Sequence, residues 1–217
     1  MTARSDLLLE MYDAMHGLLG PSGWWPGESA FEVCIGALLT QNTSWSNVEK
    51  AIDNLRERGL VFAEAMHRTQ LRELEECIRP AGYFRIKAGR IRNFLDFLRD
   101  EAGYDLSALD ELDTGHLREK LLEVKGVGRE TADSILLYAF GRPVFVVDAY
   151  TARICNRHAL VPEDVEYEEL RSFFEDALPP DVGLYNEYHA LLVRVGKSWC
   201  RKKSGLCDSC PLASFLD

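Results

Sequence analysis

Apolar side chains recur at helical spacing through most of this chain, and its one good strand candidate, Val144-Phe145-Val146-Val147, spans only four residues. Four residues are too few to build a sheet around, so the pattern specifies an all-α fold. Ser29 stands where it can cap a helix whose inner face carries Phe31, Cys34, Ile35 and Leu38. A second helix runs through Val48, Ile52 and Leu55 to Gly59, and a third stripe, Leu71, Leu74 and Ile78, is stopped by Pro80 and Gly82. Ile91, Phe94, Leu95 and Leu98 repeat the spacing, as do Leu117, Leu121 and Val124 after Thr114. Ala132 to Phe140 reads as a helix ended by Gly141 and Pro143, and two more helices are expected near 167–178 and 184–197. There is no internal repeat and no low-complexity tract.

With 217 residues and 47% hydrophobic content, the chain can bury a core as one large domain or as two lobes. No stretch approaches the roughly 20 apolar residues of a membrane span. The expectation is a soluble, cytoplasmic protein with no membrane partner. A net charge of −10 argues against indiscriminate nucleic-acid binding but leaves room for a local basic footprint. Arg79, Arg85, Lys87, Arg90 and Arg92 supply one, with no acid between 79 and 92. An ordinary solvated helix face is the bland alternative. Cys34, Cys77 and Cys155 are isolated among apolar residues and read as core packing, whereas Cys200, Cys207 and Cys210 cluster. The histidines at 16, 67, 116, 158 and 189 form no ligand spacing and carry no assigned chemistry.

From Val124 to Asp148 the chain reads VKGVGRETADSILLYAFGRPVFVVD. One helix ends, Gly126-Val127-Gly128 turns, and another begins near Arg129. Glycines there permit positive φ and close approach of another backbone, and the unpaired N–H groups opening the new helix suit a phosphate. Taken alone, the turn also reads as an ordinary helix–helix connection.

The hairpin VKGVGRETA with Asp148 18 positions after Glu130, the stretch FEVCIGALLTQNTSWSNVEKA, the stretch IRPAGYFRIKAGRI and the loop CRKKSGLCDSC together resemble the helix-hairpin-helix DNA glycosylases of the endonuclease III superfamily, over about Phe31 to Cys210. The resemblance implies two helical lobes flanking a DNA-binding cleft. One is a six-helix barrel over 30–143 with its hairpin at about 114–140; the other joins 1–29 to 144–217 and carries the cysteine loop. It implies that carbonyls of Leu122, Val124 and Val127 hold a monovalent cation bridging to a DNA phosphate, and that N–H groups of Gly126, Gly128 and Glu130 reach the same strand. Asp148 becomes the catalytic carboxylate, stabilising the positive charge that builds on the sugar as the N-glycosidic bond breaks, or orienting the attacking water. A helix N-cap role for Asp148 is compatible with both. Gln41 would fill the gap left by the flipped nucleotide, Tyr83 would wedge from the opposite loop, and Lys87 belongs to the basic edge. The partner is double-stranded DNA containing a damaged base, and the protein is expected to act as a monomer.

Bifunctional members carry a lysine in the second hairpin helix that forms a Schiff base with the sugar. This chain has Glu130 there, which predicts a monofunctional glycosylase; Lys125 is not expected to substitute. GWWPGES and QNTSWSN resemble the subgroup that excises 3-methyladenine. Carried over, Trp24 and Pro26 face one side of the base, Trp45 the other, and Trp25 completes the wall. Core filling is the alternative for these tryptophans. The reading is removal of alkylated purines. Its rivals are the same hydrolysis on mismatched, deaminated or oxidised pyrimidines, and a non-catalytic DNA-binding module.

Cys200, Cys207 and Cys210 reproduce three of the four ligand spacings of the family's [4Fe–4S] loop, but Leu216 holds the fourth position. A cluster completed by Asp217, solvent or an exogenous ligand, a zinc site and a metal-free remnant all stay open. Lys197 precedes this loop and touches either DNA or the lobe interface.

Overall fold

A computed structural model of the protein describes residues 3–216. The chain divides into two units, Met1–Pro26 with Pro143–Asp217, and Gly27–Arg142. Among the described residues every regular element is helical, and no helix is long and apolar enough to cross a membrane.

Helix α1 (Ala3–Leu19) opens the first unit; its Leu8, Met11 and Met15 are buried. The second unit then runs through α2 (Ala30–Thr40), α3 (Trp45–Glu57), α4 (Ala63–Arg68), α5 (Leu71–Cys77), α6 (Phe84–Ala102), α7 (Thr114–Glu123) and α8 (Arg129–Ser134), the last continued by a π-type turn over Ile135–Ala139. Helix α2 is its centre, with residues 31–39 all buried and Ser29 Oγ accepting the Glu32 N–H. One polar side chain in that helix, Glu32, is buried by pairing with Arg56 of α3 at 2.6 Å. The apolar stripes expected in α3 and α6 are the buried faces of those helices. Leu71 differs: it is 45% exposed, because α5 begins there and only Leu74, Cys77 and Ile78 reach the core.

Returning to the first unit, the run Val144–Val147 forms no strand. Its four side chains are buried, and the Phe145 N–H donates to Glu175 Oε1 at 2.9 Å, where a strand would use a neighbouring backbone. Helices α9 (Ala149–Arg157), α10 (Tyr167–Glu175) and α11 (Val182–Ser198) complete the unit. Phe145 stacks on Phe174 at 4.2 Å and meets Tyr185 and Tyr188 edge-on, so the apolar run is spent on an aromatic core. Helices α9 and α11 pack closely at Gly196, where a Cβ would lie 2.3 Å from the Tyr150 ring.

Candidate functional site

The two helices of the hairpin are fastened by a side-chain pair: Asp133, fully buried on α8, accepts from Arg118 of α7 at 2.6 and 3.2 Å. Of the two turn glycines only Gly126 has a positive φ, +103°. Gly128 is extended at φ −97°, which any residue adopts, and a Cβ there would meet nothing within 4 Å. Its contribution is therefore an open surface above the first amides of α8 rather than an unusual backbone. Gly126 has a second reason for lacking a side chain, since a Cβ would lie 2.3 Å from Cγ of Arg90.

That arginine ends at Gln41. The Gln41 Oε1 accepts from Arg90, while its Nε2 donates to the Gly126 carbonyl at 3.1 Å and to Thr131 Oγ1 at 2.9 Å. Asn93 adds a bond to the Lys125 carbonyl at 2.8 Å. The residue expected to enter DNA thus has its whole amide engaged in bracing the turn from α2 and α6. Val124 O, one of the carbonyls expected to hold a cation, accepts the Val127 N–H at 2.9 Å, which leaves it one lone pair.

The basic edge needs a correction at Lys87. This side chain is 1% exposed, and its ammonium donates to the Leu39 carbonyl at 2.8 Å and the Ala81 carbonyl at 2.7 Å. Burial, and secondarily the charge of Arg90, push it down to about 8. Its place inward on α6, almost wholly out of reach of solvent, makes it a structural cation rather than part of an outward basic edge. Arg92 also turns inward, donating to the His67 and Thr69 carbonyls. What faces outward is Tyr83, 68% exposed with a left-handed φ of +45°, together with Ile86, 57% exposed, and the guanidinium groups of Arg79 and Arg85 over the Phe84 ring.

Asp148 caps α9. Its Oδ1 accepts the N–H groups of Tyr150 and Thr151 at 2.9 and 2.8 Å and the Thr151 hydroxyl at 3.0 Å. Oδ2 faces Nε2 of His189 on α11 at 3.8 Å, an ion-pair distance rather than a hydrogen bond, and both side chains are about nine-tenths buried. Burial pushes the carboxyl up, but the His189 imidazole and the Thr151 donors outweigh it, holding Asp148 below the usual carboxylate value. A helix start, a threonine and an imidazole therefore keep a nearly buried acid ionised. His189 carried no signal in the sequence, because its partner lies 41 residues earlier and meets it only through the α9–α11 packing.

Trp24 and Trp25 are half-buried, their ring centroids 4.8 Å apart and tilted by 55°, and Pro26 is exposed. Their segment is tied down from α11: Glu187 accepts from both the N–H and the hydroxyl of Ser22 at 2.8 and 2.7 Å, and Arg194 donates to the Gly20 and Leu19 carbonyls. Lying nearly two turns apart on α11, these two residues show no motif, so the sequence hid them. Trp45 belongs to the other unit and directs its indole N–H to Glu49 at 2.8 Å.

Cys200, Cys207 and Cys210 line one cavity with Arg157, His158, Leu212 and Leu216. Arg157 donates to the Cys200 sulfur at 3.2 Å, and Gly205 leaves room that a Cβ would fill, 2.9 Å from Cys207 Sγ. Among the described residues no three donors close around one point as ligands of a single ion do. The chemistry of the cavity, three thiols beside a guanidinium, fits a larger thiolate-held group, although Leu216 brings no donor. Asp217 lies outside the described residues. Cys34, Cys77 and Cys155 are buried in the cores as expected.

Comparison with known proteins agrees with these features. The family described as HhH-GPD superfamily base excision DNA repair protein matches residues 35–180. A candidate DNA repair glycosylase of Methanocaldococcus jannaschii is 44% identical over 97% of this chain and 96% of its own. Among solved structures, a 3-methyladenine DNA glycosylase of H. pylori bound to 1,N6-ethenoadenine superposes with a TM-score of 0.77 at 27% identity, covering 90% of this chain and 98% of that one. An endonuclease III–DNA complex shares the fold, with a TM-score of 0.83 at 24% identity over 100% of this chain and 96% of that one.

Proposed function

The chain belongs to the HhH-GPD superfamily of base excision DNA repair proteins, and from that premise we propose that it is a monofunctional DNA glycosylase acting on alkylated purines such as 3-methyladenine in double-stranded DNA. The observation that carries the reading is Asp148, an acid kept ionised at a helix start in a chain whose hairpin has Glu130 where bifunctional members have a lysine.

Cleavage of the N-glycosidic bond sends the bonding electron pair to the base and leaves positive charge on the sugar. A carboxylate beside that carbon stabilises the transition state more than the neutral ground state. Water then adds to the anomeric carbon, and its proton passes to Asp148 or to solvent. Glu130 cannot form an imine, so the abasic sugar is left intact. An alkylated purine that is already cationic departs as a neutral base and demands little beyond this one charge. Trp24, Trp25, Pro26 and Trp45 are the candidate faces for stacking on it, and indoles favour a cationic ring. The likeness to the H. pylori 3-methyladenine glycosylase supports this choice of substrate. Gly126, Gly128 and Glu130 would bind the DNA backbone through their amides, with a monovalent cation on the Leu122, Val124 and Val127 carbonyls. Tyr83 would enter the duplex at the corner before α6, with Arg79 and Arg85 on either side of it in the chain meeting the DNA backbone. Gln41 would act by bracing the hairpin. Cys200, Cys207 and Cys210 would hold a [4Fe–4S] cluster, which when bound stiffens the loop after Lys197 and takes no part in base removal.

Duplexes carrying an alkylated purine, a deaminated pyrimidine, an oxidised pyrimidine or a mismatch test the proposal in one gel assay. The expected result is base release from the alkylated duplex, with strand breakage only after heat or alkali. Release confined to pyrimidine lesions would overturn the substrate, and strand scission without heat or alkali would overturn the monofunctional chemistry.

A further inference from the structure

The cysteine loop lacks its fourth thiol, yet the cavity contains another soft-metal donor. His158, the residue that follows α9, lines the same cavity as Cys200, Cys207 and Cys210. Its Nδ1 lies 3.0 Å from the carbonyl oxygen of Phe215, the residue immediately before Leu216. A carbonyl only accepts, so Nδ1 carries the proton and, in the neutral ring, Nε2 carries the lone pair. Metal-bound histidines are commonly fixed in this way, with the remaining ring N–H donated to a backbone carbonyl. The imidazole is thus tethered beside the sequence position where a fourth cysteine would stand, in the tautomer that can bind a metal.

We infer that His158 is the fourth ligand of an iron–sulfur cluster whose other ligands are Cys200, Cys207 and Cys210. The neighbouring residue supports the assignment: Arg157 donates to the Cys200 sulfur and to the Lys202 carbonyl, so consecutive residues at the end of α9 address one thiol and the chain terminus. Ligands of a four-iron cluster are spread around a body of several atoms, so donors lining a shared cavity suit it better than they suit a single zinc ion. A neutral imidazole in place of a thiolate also makes the assembly one charge less negative and raises its reduction potential, as histidine ligation does in other iron–sulfur centres.

The inference rests on the three cysteines holding a cluster, and its test separates the two claims. The full chain is purified and reconstituted anaerobically with iron and sulfide, then reduced with dithionite. Iron content, visible absorption and pulsed paramagnetic resonance are read on wild type, His158→Ala and His158→Cys. The expected result is a cluster in wild type with a strongly coupled nitrogen, loss of that coupling in both variants, and a lower reduction potential in His158→Cys. His158→Cys keeps four ligands, so it reports even if His158→Ala fails to fold. A cluster without nitrogen coupling, or with coupling unchanged in His158→Cys, overturns the histidine assignment alone. Absence of any cluster from wild type after reconstitution overturns both it and the cysteine reading. Base release from an alkylated duplex, followed in parallel, tests the enzymatic proposal separately.

Discussion

Asp148 caps α9 and, in the proposed mechanism, also supplies the charge that assists base release, two roles that substitution can separate. Asp148→Asn keeps an oxygen able to accept from the Tyr150 and Thr151 N–H groups and the Thr151 hydroxyl, three bonds of 2.8–3.0 Å. It removes the charge. Hydrogen bonds to a charged group are stronger than neutral ones, and an anion at a helix start adds a few tenths to one kcal/mol, so the loss of stability is about 1 kcal/mol. Asp148→Ala removes the acceptor and leaves buried donors unpaired, at about 2 kcal/mol. In a chain of this size these correspond to falls in Tm of roughly 2–4 °C and 4–8 °C. The catalytic loss should be alike in both, on the order of a hundredfold or more, since both lack the charge that stabilises the sugar cation. Thermal unfolding and single-turnover base release, measured on one preparation of each variant, provide the comparison. If Asp148→Asn retains more than a tenth of the wild-type rate while Asp148→Ala does not, the acid serves as a cap and another group performs the chemistry.

Three more perturbations probe the surroundings. Lys87→Met leaves the Leu39 and Ala81 carbonyls without their donor and should lower stability by about 2 kcal/mol, with DNA affinity per folded molecule unchanged in a filter-binding or anisotropy assay. Because burial sets its folded pKa near 8, below the unfolded value, its stabilising contribution grows as pH rises from about 8 and is lost as pH falls through 8, so the gap in Tm between wild type and Lys87→Met should widen toward pH 10. Gly126→Ala combines a φ of +103° with a 2.3 Å clash against Arg90; displacement of Arg90 releases Gln41, and DNA affinity should fall severalfold with a loosened hairpin in hydrogen exchange. His189→Gln removes one of the influences that hold Asp148 down against burial, so a carbon-detected NMR titration should place the Asp148 carboxyl midpoint below the usual aspartate value in wild type and higher in the variant; an unmoved midpoint refutes the coupling.

What could be read from the sequence were features local in the chain. Ser29 before α2, the turn at Gly126 and the cap at Asp148 each declare themselves within a few residues, because caps and turns are made by near neighbours. Lys87 shows the limit of that reading. In the chain it sits among arginines, and only the packing of α6 against α2 reveals that its stem points inward and its ammonium ends on backbone carbonyls. The bracing role of Gln41, and the parts played by Asp133, Glu187 and His189, were obscure for the same reason: their partners, Thr131, Arg118, Ser22 and Asp148 respectively, are not near neighbours in the chain. The Val144–Val147 run misled in another way. Four consecutive apolar residues say that a segment is buried, not which backbone partner it takes, and here the partner is the Glu175 carboxylate.

Tyr83 holds a backbone conformation that a side chain disfavours by about 1 kcal/mol, and two-thirds of its surface is open to water. Neither burial nor a cap compensates for this, so the fold itself would be better served by glycine at that corner. Thermostability screens that select on folding alone should therefore recover Tyr83→Gly as a gain, and any such gain is a warning: a protein optimised in that direction becomes sturdier while losing its one exposed ring at the start of α6.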